Sequence, residues 1–230
     1  MDKIIFDNIQ VELNIADVAR YVHVQPDTDD YEALDTLVKQ AVSIARPKAV
    51  YTTSFITGRS EDFIELDGVR MLSRIMPRNL HDVHRVFPYV ATCGEEVDRW
   101  SATITDMVQG WWMDGVKEMM LTQAVNHMNR HFTDGLKLGA FSSMNPGSLP
   151  DWPVSEQKKL FSLLGDVKAL IGVALTDSML MLPTKTVSGF VFQTESGFEN
   201  CCLCSRKGCT GRRAPFDKKM YGELVSGEAK

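Results

Sequence analysis

The chain contains no apolar run approaching the ~18 residues that a membrane span requires. Its first residues, Met1-Asp2-Lys3-Ile4-Ile5-Phe6, lack the apolar core and small-residue cleavage site of a signal peptide, so the expected location is cytoplasmic. Positive charge is short as well: 25 Lys and Arg stand against 30 Asp and Glu, a net charge of -5, which removes the basic face a general nucleic-acid binder needs. There is no internal repeat and no low-complexity segment. Cysteine is scarce, at 5 in 230 residues, and with no export signal these read as reduced thiols or metal ligands rather than disulfides.

What is there suits a globular domain. Hydrophobic residues are 44% and charged residues 24%, so a sizeable core forms without staples. Thr28-Asp29-Asp30-Tyr31 predicts a helix start, with a capping hydroxyl and acids at the positive end; its apolar stripe runs from Tyr31 through Leu34, Val38 and Ala41, and Pro47 ends it. Phe6 to Leu13, Ala49 to Ile56 and Phe63 to Leu66 read as strands. Val69 to Ile75 and Leu80 to Val83 read as short helical pieces around Pro77. Val86 to Thr92 reads as a buried strand running into a Cys93-Gly94-Glu95 turn, of the kind that aims backbone N–H groups at a ligand. A long helical region follows from Glu95 to Phe132, with a break expected near Gly110.

Prolines concentrate in the loop Ser143 to Pro153, where Pro146, Pro150 and Pro153 join Gly147 in a stiff segment with exposed backbone groups. A short amphipathic helix from Ser155 to Leu164 follows, and Met181 to Phe192 reads as a strand bearing Gly189, a place where a ligand can approach the main chain. On the long helix, Asp114 and Glu118 fall on one side with Met107, Trp111 and Val125. Like charges at that spacing need a cation, either a neighbouring Lys or Arg or the ammonium or sulfonium of a ligand. His127 and His131 share a helical face but read as a solvated pair, as do His81 and His84.

The last segment is distinct. Cys201, Cys202, Cys204 and Cys209 lie together among Arg206, Lys207, Arg212, Arg213, Lys218 and Lys219. Clustered thiolates with basic neighbours suit an Fe–S cluster or zinc; with Cys201, Cys204 and Cys209 as three ligands, the fourth is Cys202, Cys93, solvent or a substrate thiol. Residues 1–198 are therefore expected to form one domain and residues 199–230 a Cys-rich basic tail.

Asn145-Pro146-Gly147 with Trp152-Pro153, then Leu175-Thr176-Asp177-Ser178, Pro183 and Val187-Ser188-Gly189-Phe190, resembles the activation domain of vitamin B12-dependent methionine synthase. The resemblance runs from Pro146 to Phe192, is weaker over Asp106 to Phe132 and fades in the N-terminal third. It implies an α+β fold, with a mixed or antiparallel sheet and packed helices, that binds S-adenosylmethionine. It also implies remethylation of cobalamin on a partner, a corrinoid-binding protein or methionine synthase core, with no nucleic acid or membrane. The cofactor-binding residues implied are Asp114, Glu118, Asn145, Pro146, Gly147, Ser148, Ser188, Gly189 and Phe190. Ser143 and Ser148 stand where the family has an arginine, which pairs with the cofactor carboxylate, and a tyrosine. Two other functions remain open: a docking module with a structural zinc knot, and a zinc-thiolate methyltransferase acting on homocysteine.

Overall fold

The computed structural model describes residues 2–195, 197–209 and 212–225. The chain opens with β1 (Lys3–Phe6), α1 (Ile15–Tyr21) and α2 (Asp29–Ile44), then β2 (Lys48–Thr52), β3 (Ser54–Arg59), β4 (Phe63–Leu66) and β5 (Val69–Leu72). Next come α3 (Ile75–Asn79), β6 (Arg85–Thr92), α4 (Glu95–Ser101) and α5 (Met107–Arg130), which ends in a π turn, His131–Gly135. After β7 (Phe141–Met144) follow α6 (Gln157–Leu164) and α7 (Val167–Ile171), the small hairpin β8 (Ala174–Leu175) and β9 (Met181–Leu182), then β10 (Thr186–Gln193) and α8 (Lys218–Val225).

The architecture is α+β, built on an antiparallel sheet of eight strands. β6 is its centre, paired with β2 and β3 on one side and β10 on the other, and β7 adds to the outer edge of β10. Every residue of β6 from Val86 to Thr92 is buried. Alternate residues serve opposite faces. Ala49, Tyr51, Phe87, Tyr89 and Ala91 pack against Ala124, Met128 and Phe132 of α5. Val50 and Val90 pack against Leu164, Val167 and Ile171. The sheet is thus clasped between α5 and the α6–α7 pair.

The strand expected from Ala49 to Ile56 exists as β2 and β3, which keep one continuous register against β6. The ladder lapses at Thr53, opposite the stretch holding Pro88, which has no N–H to donate. Other expectations are corrected. Val69–Leu72 is a strand, because Asp67 (φ 47°) and Gly68 (φ 85°) make a two-residue hairpin that pairs Leu66 with Val69. The first strand is Lys3–Phe6. The long helical region breaks at residues 102–106, not at Gly110, because Asp106 caps α5 by accepting from the N–H groups of Val108 and Gln109. The Leu175-Thr176-Asp177-Ser178 motif is the turn of the β8–β9 hairpin, not a helix.

Candidate functional site

β10 carries two kinds of side chain. Ser188 and Phe190 face the α6 side, where Phe190 packs on Trp152 (ring centroids 5.3 Å apart) and Gln157 Nε2 donates to Ser188 Oγ at 2.9 Å. Val187 and Val191 face α5. Gly189 lies between them, and its missing side chain lets β7 and Asn145 close over the strand.

Asn145 ties this region together. Its Nδ2 donates to the Ser188 carbonyl at 2.8 Å and to Tyr89 Oη at 3.0 Å, while its Oδ1 accepts from Asn200 Nδ2 at 2.9 Å. The structure therefore brings Asn145, Ser188, Gly189 and Phe190 into one place. It also gives Asn145 and Ser188 partners of their own, and buries Ser188, Gly189 and Phe190. Pro146 is half-buried, and Gly147 and Ser148 expose their backbone at the turn, where Gly147 takes φ 81°.

Beside this network lies a cleft of ≈ 270 Å³. Val125 and Asn129 of α5, Val187 and Val191 of β10, Tyr89, Ser142, Ser143, Asn145, Glu199 and Arg213 line it. Burial raises the Tyr89 phenol above its ordinary pKa, while hydrogen bonds from Asn145 and Ser143 and the Arg213 charge pull the other way. Tyr89, Glu199 and Arg213 were not singled out as binding residues from sequence. Arg213 was visible only as one member of a basic cluster, and nothing local places it against Ser143.

Further along the same helix stripe, Trp111, Asp114 and Glu118 line a second cleft of ≈ 620 Å³ with Tyr21 and Lys185. Lys185 meets Glu118 at 3.6 Å, and Lys117 meets Asp114 at 3.4 Å and Asp98 at 2.9 Å. The cations that the two acids require are thus supplied by the protein. Both acids remain exposed. Lys185 and Val187 are two residues apart on one chain segment, so the two clefts follow the same α5–β10 seam. From Glu118 to Asn129 the seam runs ~16 Å along the helix.

Three other candidates resolve differently. The Cys93–Gly94 turn does not open onto a ligand: a Cβ at Gly94 would stand 2.3 Å from the Arg46 carbonyl oxygen. Cys93 is buried among α1, α2, α4 and α5, and burial, with Asp98 adding to it, pushes its thiol up to about 12. His127 and His131 are not a solvated pair: both rings pack edge-on against Phe6, and His131 Nε2 lies 2.8 Å from Tyr51 Oη.

The cysteine-rich segment is organised by a guanidinium. Arg212 donates to the carbonyls of Cys201 (3.1 Å), Cys204 (3.1 Å), Ala214 (3.2 Å) and Arg206. The N–H of Arg213 donates to Cys201 Sγ at 3.4 Å, which lowers that thiol's pKa. Among the described residues, no group of three or more His, Cys, Asp or Glu side chains converges on a metal position. The four thiols are chemically suited to iron or zinc, but the geometry does not gather them, and Cys93 lies in a different core cluster from Leu203.

The family model described as "Vitamin B12 dependent methionine synthase, activation domain" matches residues 145–200. That segment contains the Asn145 turn, α6, β10 and Asn200. No curated protein sequence matches the chain. Among solved structures, "Crystal Structure of the MetH Reactivation Domain bound to AdoHcy" is similar with a TM-score of 0.58 at 13% identity, covering 86% of this chain and 80% of that one. At that identity the likeness is one of fold. The chain resembles the activation domain of B12-dependent methionine synthase, in motif from residue 145 to residue 200 and in fold over most of its length.

Proposed function

We propose that this protein is a corrinoid reactivation factor. It holds S-adenosylmethionine in the α5–β10 seam and presents it to cobalamin carried by a partner, a methionine synthase core or another corrinoid protein. The observation that carries this reading is a cleft of mixed polar and apolar lining, walled by Val187 and Val191 of the strand that bears the family motif, in a chain with the activation-domain fold.

When bound, S-adenosylmethionine supplies an electrophilic methyl group to a reduced cobalt centre. The protein's own task is positioning. Val125, Val187 and Val191 give the cleft apolar walls, and Ser143 and Asn145 add polar groups to its lining. Glu118, held only loosely by Lys185 at 3.6 Å, is the carboxylate available to a cationic ligand. The lining offers such a ligand apolar walls and polar groups, and Arg213 lines the same cleft as Ser143, which stands where the family's loop has its arginine.

Calorimetric titration of the full chain with S-adenosylmethionine, alone and with a cobalamin-loaded partner, tests the reading. Saturable binding in either setting is expected, and its absence in both rejects the proposal. A specific observation favours a second reading, a docking module without its own cofactor. Asn145, Ser188, Gln157 and Asn200 already bond one another, and Asp114 and Glu118 already have lysines. Association with a corrinoid protein in the absence of any adenosyl binding is the outcome that selects it.

A further inference from the structure

Cys201 and Cys204 stand one turn apart, in the short 3-10 helix Asn200–Leu203 and its capping residue. The Cys204 N–H donates to the Cys201 carbonyl at 3.2 Å, the bond that closes such a turn. With three residues per revolution, side chains at i and i+3 stand one above the other. Burial keeps that period. Asn200 and Leu203 share the inward face, while Cys201 and Cys204 share the next face, both half-buried. At a rise of ~2.0 Å per residue their Cα atoms are ~6 Å apart. Disulfides usually join Cα atoms ~4.4–6.8 Å apart, so this pair can be bridged with little backbone movement. Cys202 occupies the third face of the turn.

One guanidinium holds the turn at both ends. Arg212 Nη1 donates to the Cys201 carbonyl and Nη2 to the Cys204 carbonyl, each at 3.1 Å. Leu203, between the two thiols, is anchored in the core. The spacing of the pair is thus set by the fold rather than left to chance. Cys201 Sγ accepts from the Arg213 N–H at 3.4 Å, and the Ala214 N–H and the Arg213 guanidinium lie against the same sulfur. Donors and a positive charge around a sulfur favour the thiolate, the nucleophilic form. Arg206, Lys207 and Arg213 are exposed on the segment that follows the turn, which suits an incoming molecule that carries carboxylates.

We propose that Cys201 and Cys204 are a redox-active dithiol that exchanges with an anionic low-molecular-weight disulfide of the glutathione class. The Cys201 thiolate attacks one sulfur of the incoming disulfide and forms a mixed disulfide. The first small thiolate leaves and takes up a proton. Cys204 gives its proton to solvent, attacks Cys201 Sγ and expels the second small thiolate, which is protonated in turn. The protein gives up two electrons and two protons and holds the Cys201–Cys204 disulfide; the small disulfide becomes two thiols. The exchange needs no adenosyl ligand, so it stands or falls independently of the function proposed above.

The full chain, reduced and then freed of reductant, is incubated with glutathione disulfide, with and without a strong chelator. Remaining thiols are alkylated and located by peptide mass spectrometry. The wild type is expected to lose Cys201 and Cys204 from the alkylated set together and to carry a disulfide between them. Cys202, Cys209 and the buried Cys93 should stay free. Cys204→Ser is expected to stop at a glutathione adduct on Cys201, because the resolving thiol is gone. Cys201→Ser is expected to lose both the adduct and the disulfide. The wild-type map decides the pairing by itself should either variant fail to fold. A disulfide through Cys202 or Cys209, adducts spread evenly over the half-buried cysteines, or no reaction at Cys201 overturns the proposal. So does a reaction that occurs only with the chelator and releases zinc or iron, since the thiols are then metal ligands.

Discussion

A Cβ on Gly189 would stand 2.4 Å from the Met144 carbonyl oxygen and 2.5 Å from Asn145 Nδ2. Neither neighbour yields easily. Met144 is backbone in the adjoining strand, paired with Phe190, and Asn145 is held by three hydrogen bonds to Ser188, Tyr89 and Asn200. Gly189→Ala therefore has to move β7 away from β10 or expel the Asn145 amide. The expected cost is about 1–3 kcal/mol, the range for overpacking a filled site. Urea unfolding should show a lower midpoint with an unchanged slope; a midpoint equal to wild type would mean the strand pair is looser than its contacts indicate. At this scale the sequence was informative in one direction. A glycine inside a strand signals close backbone approach, which was expected of a ligand; in the structure the Met144 carbonyl and the Asn145 amide fill that place. The rest was hidden by distance along the chain: Asn145 meets Tyr89 and Asn200 across 56 and 55 residues. No local pattern announces such pairs, and for the same reason Arg213 was invisible as a groove residue.

At the scale of elements, α5 shows how a helix can bury a charge and still present an open face. Lys117 is only 9% exposed, yet its ammonium meets Asp98 at 2.9 Å and Asp114 at 3.4 Å. The contact to Asp98 fastens α5 to α4, and the contact to Asp114 steadies the stripe that lines the groove. Burial pulls the Lys117 pKa down, but the Asp98 and Asp114 interactions outweigh it, and the net shift is upward from 10.5. The folded state thus keeps the proton longer than the unfolded chain. The stabilisation is complete below pH 10.5 and is lost as pH climbs through the higher folded value. Lys117→Met preserves the buried stem and removes the charge. It should destabilise the protein by about 2 kcal/mol near neutral pH, the worth of a hydrogen bond to a charged group. The difference in stability between wild type and variant should hold up to pH 10.5 and shrink as the pH rises above it; a gap that stays constant there would show that the loss is one of packing. Element type was legible wherever a period and a cap agreed, as in α2 with Thr28 and α5 with its apolar stripe. It was misread at Val69–Leu72, where the Asp67-Gly68 dipeptide was the stronger signal, and at Gly110, where the cap at Asp106 had already set the helix start.

At the scale of the whole molecule, the question is what holds residues 199 to 225 against the rest. Leu203 is 2% exposed and shares a cluster with Trp152, Phe190, Phe192 and Phe198, and Met220 and Tyr221 pack on the same cluster. The Ser142 hydroxyl donates to the Phe198 carbonyl, and Asp217 N–H donates to the Cys202 carbonyl at 2.8 Å. Arg212 then ties the intervening loop through four carbonyls. These contacts anchor the segment through apolar burial and one guanidinium. The motif segment and the cysteine-rich stretch meet at the cleft, which Asn145, Glu199 and Arg213 line together. Two treatments separate guanidinium anchoring from metal anchoring. Arg212→Ala leaves the Cys201, Cys204 and Ala214 carbonyls without their donor, so tryptic cleavage after Arg206 and Lys207 should become markedly faster while Leu203 keeps the segment docked. Incubation of the wild type with a strong chelator should leave the cleavage rate unchanged. If chelation instead opens these sites and Arg212→Ala does not, the cysteines are metal ligands after all and the guanidinium is secondary.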